Sequence, residues 1–195
     1  CVAVRIGREF GRYPEYIYLA CGGGGLSSGM LSYFGTSSQF TLVEPLGGAC
    51  LWAALIAGKP VKLDKVDTFA DGAAVGQIGQ RTFECLKSIG LANVLRIPED
   101  RICITMLEML NIEGIVLEPA GALAIDALQD LGQMIRGRKV VCVSSGGNFD
   151  FERLPEVKER AQRFAGVKKY LILRMPQRPG ALKEFLNLLG PDDDI

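Results

Sequence analysis

The chain has 195 residues, with 22 Lys+Arg against 22 Asp+Glu and a formal net charge of zero. That length fits one domain, or one plus part of another, and an apolar content of 48% supports a sizeable core. Balanced charge excludes a general nucleic-acid binder, which carries an excess of Lys and Arg, and the lack of any histidine excludes imidazole bases and histidine-ligated metals within the chain. Glycine is in surplus, at 24 residues or roughly 12% against a usual ~7%.

The sequence opens on Cys1 and closes after an acidic run at 192–194, and both ends read as cuts in a longer structured sequence. Residues 16–21 read as a short buried strand, followed by four glycines and a helical pattern over 26–33. A second strand is expected over 40–44, ended by Pro45, then a helix over 51–57 closed by Gly58. Residues 59–69 read as irregular. Val75, Ile78, Phe83 and Leu86 recur near helical spacing and predict a helix within 72–88, stopped by Gly90. Then come a strand over 93–97 and a helix over 98–110 with Pro98, Glu99 and Asp100 in its first turn. A brief strand-like stretch at 115–118 and a helix over 120–131 follow. Residues 139–143 form a continuous apolar run suited to burial on both faces. Strands alternating with helices at this spacing imply an α/β domain with a mainly parallel sheet. Beyond it, 152–164 reads as an amphipathic connecting helix. Residues 169–175 alternate like a strand, 176–179 turn, and 180–189 read as a helix. That last unit cannot bury its apolar faces alone.

The six cysteines, at 1, 21, 50, 85, 103 and 142, include no C-x-x-C pair, so zinc or thioredoxin-like chemistry has no support. Most sit in apolar runs, the pattern of buried, reduced thiols in a cytosolic protein. No apolar run approaches the ~18–20 residues needed to span a bilayer, and no signal-peptide pattern stands at the start.

Chemistry concentrates in the glycines. Gly22, Gly23, Gly24 and Gly25 lie between a strand and a helix and lack Cβ atoms, so consecutive backbone N–H groups can converge on one anion. The helix that follows adds its positive N-terminal end. The loop therefore reads as a phosphate cradle. A triphosphate loop would end in Gly-Lys-Ser/Thr, and no lysine follows here. A dinucleotide fingerprint is the nearer alternative: Gly22 and Gly24 fit its first two positions, and Glu44 has the spacing of a ribose-binding acid. Against it, Ser27 stands where a third glycine belongs. A second glycine site, Ser144-Ser145-Gly146-Gly147-Asn148, follows the buried strand at 139–143, at the sheet edge where ligands bind in open α/β folds. A serine hydroxyl there can donate to a neutral ring nitrogen. A third, Glu118-Pro119-Ala120-Gly121-Ala122, sets small residues at a helix start.

Taken in order, GGGGLSSG (22–29), VEP (43–45), LDKVDTFADGAAV (63–75), LEPAGALA (117–124) and VSSGGN (143–148) resemble the threonine dehydratase, or threonine deaminase, family of fold-type-II pyridoxal-phosphate enzymes. The tail YLILRMPQRPGALKEFLNLLGPDDDI (170–195) resembles the start of the ACT-like regulatory domain of its biosynthetic, isoleucine-pathway members.

The resemblance implies an α/β fold with the three-layer parallel sheet of the tryptophan-synthase-β-like class, joined to the start of an ACT-like α+β domain. It implies a catalytic part over 1–151, a connecting helix over 152–167 and a truncated regulatory start over 168–195. It implies pyridoxal 5'-phosphate as cofactor, its phosphate held by Gly22, Gly23, Gly24, Gly25 and Leu26 and its pyridine nitrogen by Ser145. A neutral serine at that nitrogen leaves it largely unprotonated, a milder electron sink that suits β-elimination. Glu118 matches a glutamate near the ring, and Glu44 becomes a strand-end residue. The family's Schiff-base lysine sits in a Ser-Phe-Lys type motif, which no lysine here matches, so the resemblance places it upstream of Cys1 and leaves this fragment inactive alone. The implied reaction is that of a threonine ammonia-lyase, from L-threonine to 2-oxobutanoate and ammonia, the first step of isoleucine biosynthesis, with L-serine as a second substrate. The alternatives are a serine-preferring or catabolic dehydratase and a non-catalytic ligand-binding relative. A branched-chain amino acid effector, a homo-oligomer and a cytoplasmic location without membrane or nucleic-acid partners complete the expectation.

Overall fold

The computed structural model describes residues 2–10 and 14–190; Cys1, the acidic run at 192–194 and the end of the expected regulatory start lie outside the described residues. Helix α1 (Val2–Glu9) precedes strand β1 (Tyr16–Ala20), whose three central residues are buried. Then follow α2 (Gly25–Phe34), β2 (Gln39–Pro45), α3 (Cys50–Ala57), α4 (Gln80–Leu86) and β3 (Val94–Ile97). The second half runs through α5 (Glu99–Glu113), α6 (Pro119–Asp126), α7 (Leu128–Leu131), β4 (Val140–Val143), α8 (Leu154–Phe164) and α9 (Ala181–Leu186).

The strands form one parallel sheet in the order β3-β2-β1-β4. Ala20 lies beside Val43, and Leu19 lies beside both Leu42 and Val143. Parallel neighbours need crossover helices, and these cover both faces. One core gathers Ile17, Leu19, Leu42 and Val141 of the sheet with Met30 and Phe34 of α2, Leu51 and Ala54 of α3 and Phe83 of α4. The opposite core joins Val43 and Ile97 to Ile102 and Met106 of α5, Leu123 of α6 and Val157 of α8. Phe40 and Leu42 face one core while Val43 faces the other, as the two-residue period of a strand requires. The result is the expected three-layer α/β arrangement.

Several expectations shift, each for a local reason. Pro45 does not end β2 but pairs with Ile97 as its last residue, where the missing N–H costs the ladder least. The helix expected within 72–88 shrinks to Gln80–Leu86 plus one short turn, because residues 72–79 hold three glycines and bind elsewhere; Gly76, for instance, accepts from the Leu63 N–H at 2.8 Å. Residues 115–118 join no ladder, and the helix expected over 120–131 breaks after Asp126. Residues 169–175 also lack a ladder, since a strand needs a neighbour for its backbone groups. There Leu171 and Ile172 are exposed, and α9 buries no residue. Of the described cysteines, Cys21, Cys50 and Cys103 are buried, Cys142 is partly so and Cys85 is exposed. No helix among the described residues is long and apolar enough to cross a membrane.

Two buried carboxylates lock elements together. Asp126 is fully buried and accepts from Arg101 Nε and Thr105 Oγ1, both at 2.8 Å, tying α6 to α5. Glu44, also fully buried at the end of β2, accepts from the N–H groups of Leu51 and Trp52 at 2.7 and 2.8 Å and so caps the first turn of α3. Burial pushes the Glu44 carboxyl up from 4.5 to about 7, opposed by those two N–H donors. A raised carboxyl binds its proton more readily folded than unfolded. Its contribution to stability is therefore full below pH 4.5 and is lost as pH rises through about 7. At ~1.4 kcal/mol per pH unit, the loss sums to about 3 kcal/mol. Urea unfolding across this window is expected to show that slope in the natural chain and to lack it in Glu44→Gln, which is less stable overall because it puts an NH2 donor where one of the two accepting oxygens was.

Candidate functional site

The chain leaves β1 to build β2 on one side, through a helix on one face of the sheet. It returns to β4 on the other side of β1, through helices on the opposite face. The loops after β1 and β4 thus part at the carboxyl edge of adjacent strands, the switch point where open α/β sheets form their binding crevice. A cleft of about 200 Å³ lies there, lined by the loop 22–27 and by Gly72, Glu118, Ala120 and Ser145. Every cofactor-binding residue expected from the sequence, Gly22, Gly23, Gly24, Gly25, Leu26 and Ser145, lines it.

The loop is shaped by where its carbonyls go. The Gly22 oxygen accepts from the buried Cys50 thiol at 3.5 Å, the Gly23 oxygen from Thr82 Oγ1 at 2.8 Å, and the Gly24 oxygen from the Ser28 N–H at 2.9 Å. With its carbonyls engaged by the protein, the loop and first turn of α2 offer N–H groups, and α2 has no side-chain cap. Nearby thiols are not rival anions: burial pushes Cys50 up to about 12, and Cys21 higher still.

The four glycines have separate causes. Gly24 holds φ 83 as the N-cap of α2, and a Cβ on it would come within 3.0 Å of the Thr82 Cβ. A Cβ on Gly22 would sit 3.1 Å from the Ala73 Cα. Those two are glycine because of the chain itself. At Gly23 and Gly25 a Cβ would meet nothing within 4 Å and φ is unexceptional, so no neighbour in the chain requires glycine there. Both line the cleft, and their missing side chains leave room for a ligand. Room, the N–H groups of a glycine loop and a helix N-terminus together fit a phosphate monoester.

Across the cleft, Glu118 and Ser145 face the loop. Glu118 is the N-cap of α6 but does not cap it by side chain. Its Oε2 instead accepts from the Asn148 N–H at 3.2 Å, while its own N–H donates to the Gly146 oxygen at 3.3 Å. Ser144 Oγ donates to the Gly121 oxygen at 3.0 Å. The serine loop is so held to the start of α6 on both sides of Ser145. Glu44 lies away from the cleft under α3, where its carboxylate is occupied. It is unable to serve a ribose there.

Two contributors were not evident in the sequence. Gly72 lines the cleft from a segment expected to be helical, and a Cβ on it would lie 2.9 Å from Glu118 Oε1. Thr82 anchors the Gly23 carbonyl from 59 residues away, and an ordinary threonine on a helix carries no local signal of that task. No lysine lines the cleft among the described residues.

A family model described as pyridoxal-phosphate dependent enzyme matches residues 2–146. The biosynthetic L-threonine dehydratase IlvA of Bacillus subtilis (strain 168) is 44% identical over 198 residues, covering 100% of this chain and 47% of that protein. The protein of the same name from Halalkalibacterium halodurans is 45% identical over 185 residues, covering 93% of this chain and 44% of its own length. Among solved structures, the processed form of threonine deaminase isoform 2 from Solanum lycopersicum superposes with a TM-score of 0.74 at 30% identity, over 82% of this chain and 48% of that one. The chain spans about half the length of the relatives it matches.

Gly23→Ala and Gly24→Ala separate the two kinds of glycine. Gly24→Ala is expected to cost about 1–2 kcal/mol of stability, because alanine is strained at that φ. Gly23→Ala is expected to change stability by under ~0.5 kcal/mol, yet to weaken inorganic phosphate about tenfold by narrowing the cleft. Thermal unfolding and equilibrium phosphate binding on the same samples measure both.

Proposed function

Because this chain belongs to the pyridoxal-phosphate-dependent enzyme family, we propose that it contributes the phosphate loop and ring-nitrogen contact of a biosynthetic threonine dehydratase, converting L-threonine to 2-oxobutanoate and ammonia. The observation that carries the reading is the meeting of the tetraglycine loop and Ser145 in one cleft at the switch point, in a chain whose relatives are named for that activity.

The lining of the cleft supports these roles. The N–H groups of Gly22 to Leu26, at the positive end of α2, hold the cofactor's phosphate. The Ser145 hydroxyl, on the opposite wall, donates to the ring nitrogen without protonating it. When bound, pyridoxal phosphate supplies an electron sink for negative charge developing at the substrate's α-carbon. The chain's own part is to orient that group from both ends and to exclude water on the side walled by Gly72, Glu118 and Ala120. A lysine that would hold the cofactor is assigned to a segment outside this sequence, in keeping with a cleft that no described lysine lines.

In this reading, residues 1–151 are the carboxyl-terminal part of a catalytic domain, 152–167 the connection and 168–195 the opening of an ACT-like regulatory domain that answers to a branched-chain amino acid. The exposed apolar residues Leu171, Ile172 and Leu182 support the last assignment, since they await a partner surface. A homo-oligomer in the cytoplasm completes the proposal.

Two measurements test it. Pyridoxal phosphate added to this chain is expected to bind reversibly, and borohydride reduction followed by peptide mass mapping should find no single lysine modified stoichiometrically; one such lysine would overturn the assignment. The natural full-length protein is expected to release 2-oxobutanoate from L-threonine faster than pyruvate from L-serine, and isoleucine should slow it. The opposite substrate order would identify a serine-preferring dehydratase.

A further inference from the structure

The carboxylate of Glu118, the N-cap residue of α6, makes no side-chain cap and is turned across to the loop that carries Ser145. Three features show that the loop is built around it. Its Oε2 takes the Asn148 N–H at 3.2 Å, three residues beyond Ser145, while its backbone N–H takes the Gly146 oxygen. A Cβ on Gly146 would run into the Glu118 carboxylate and its Cγ. From the other side, Gly72 leaves the space that Glu118 Oε1 occupies. Two glycines from distant segments therefore make the niche in which one carboxylate sits.

We propose that Glu118 is the positioning residue for Ser145: by fixing the Asn148 end of the loop and filling the space beside Gly146, it sets where the serine hydroxyl meets the ring. This rests on the proposed contact between Ser145 and the ring nitrogen. Ser145 itself is exposed and its side chain makes no hydrogen bond among the described residues, so its position is inherited from the backbone on either side. Ser144 fixes the near end through Gly121, and Glu118 fixes the far end. A carboxylate suits the task because it accepts the N–H bond without competing for it as a donor. An amide oxygen in the same place could do the same, whereas alanine could not.

Pyridoxine 5'-phosphate is the probe, because it carries the ring and phosphate without the aldehyde that would react with surface lysines. Inorganic phosphate is the comparison, since it reads the glycine loop alone. In the natural chain, pyridoxine 5'-phosphate is expected to bind tighter than phosphate, and Ser145→Ala to reduce that advantage about tenfold. Glu118→Ala is expected to remove a similar factor while leaving phosphate affinity within about twofold, and Glu118→Gln to restore binding. The double variant Glu118→Ala/Ser145→Ala should lose no more than either single one, since the two act as a unit. Undiminished binding in Glu118→Ala, or additive losses in the double variant, would overturn the positioning role while leaving the Ser145 contact standing. No advantage of the ring compound in the natural chain, with no effect of Ser145→Ala, would instead overturn the proposed contact and this inference with it. Amide exchange at Asn148 in the ligand-free chain gives an independent reading. It should quicken in Glu118→Ala and not in Glu118→Gln, and unchanged exchange in Glu118→Ala rules the role out.

Discussion

Strand β1 is hydrogen-bonded along both edges by parallel neighbours, and its Ile17 and Leu19 are fully buried. A strand in that position cannot be followed by a hairpin. The chain has to leave it over one face and come back to its other edge over the opposite face. The crevice at the carboxyl end of β1 and β4 is the geometric consequence of that routing. The apolar pairing of the sheet thus places the loops after β1 and β4 side by side before any chemistry is considered.

What occupies the crevice walls follows from a second constraint, the need to satisfy backbone groups. A loop of four glycines could point its carbonyls anywhere. Here a cysteine thiol, a threonine hydroxyl and the Ser28 N–H of α2 hold three of them on the protein side. The donors remaining on the other side belong to a helix start without a side-chain cap. Opposite them, the Glu118 side chain holds the serine loop while its backbone carbonyl takes the first N–H groups of α6. Both walls are shaped by hydrogen bonds from side chains that reach across to another segment.

The sheet and most helices were legible from periodicity and punctuation. Gly58 closes α3 in the left-handed region as expected and an apolar run marks β4, whereas α5 runs past its expected end at 110 to Glu113, where Gly114 takes the left-handed turn. Where the reading slipped, the competing cause was tertiary. Residues 72–79 have apolar spacing near a helix's, but their glycines are drawn to the cleft and the core. Residues 169–175 alternate like a strand yet find no neighbour among the described residues. At the site, the glycine runs and Ser145 were visible because a loop that approaches a ligand by its backbone must lack side chains over several adjacent positions. Thr82 and Gly72 were not, because each acts as a single ordinary residue on a remote segment.

In the sequence, strands alternating with helices set the class of fold, and a surplus of glycine between them set the nature of the loops. Spacing left a phosphate cradle and a dinucleotide site both open; the family resemblance favoured the cradle, and the tertiary structure supplied the physical reason. It carried Glu44 under α3, where its carboxylate is already bound, and brought Ser145 and Glu118 opposite the tetraglycine loop. The physical reason is the crossover. Residues more than a hundred positions apart become neighbours when adjacent parallel strands end at the same edge, and local pattern carries no record of which strands those are.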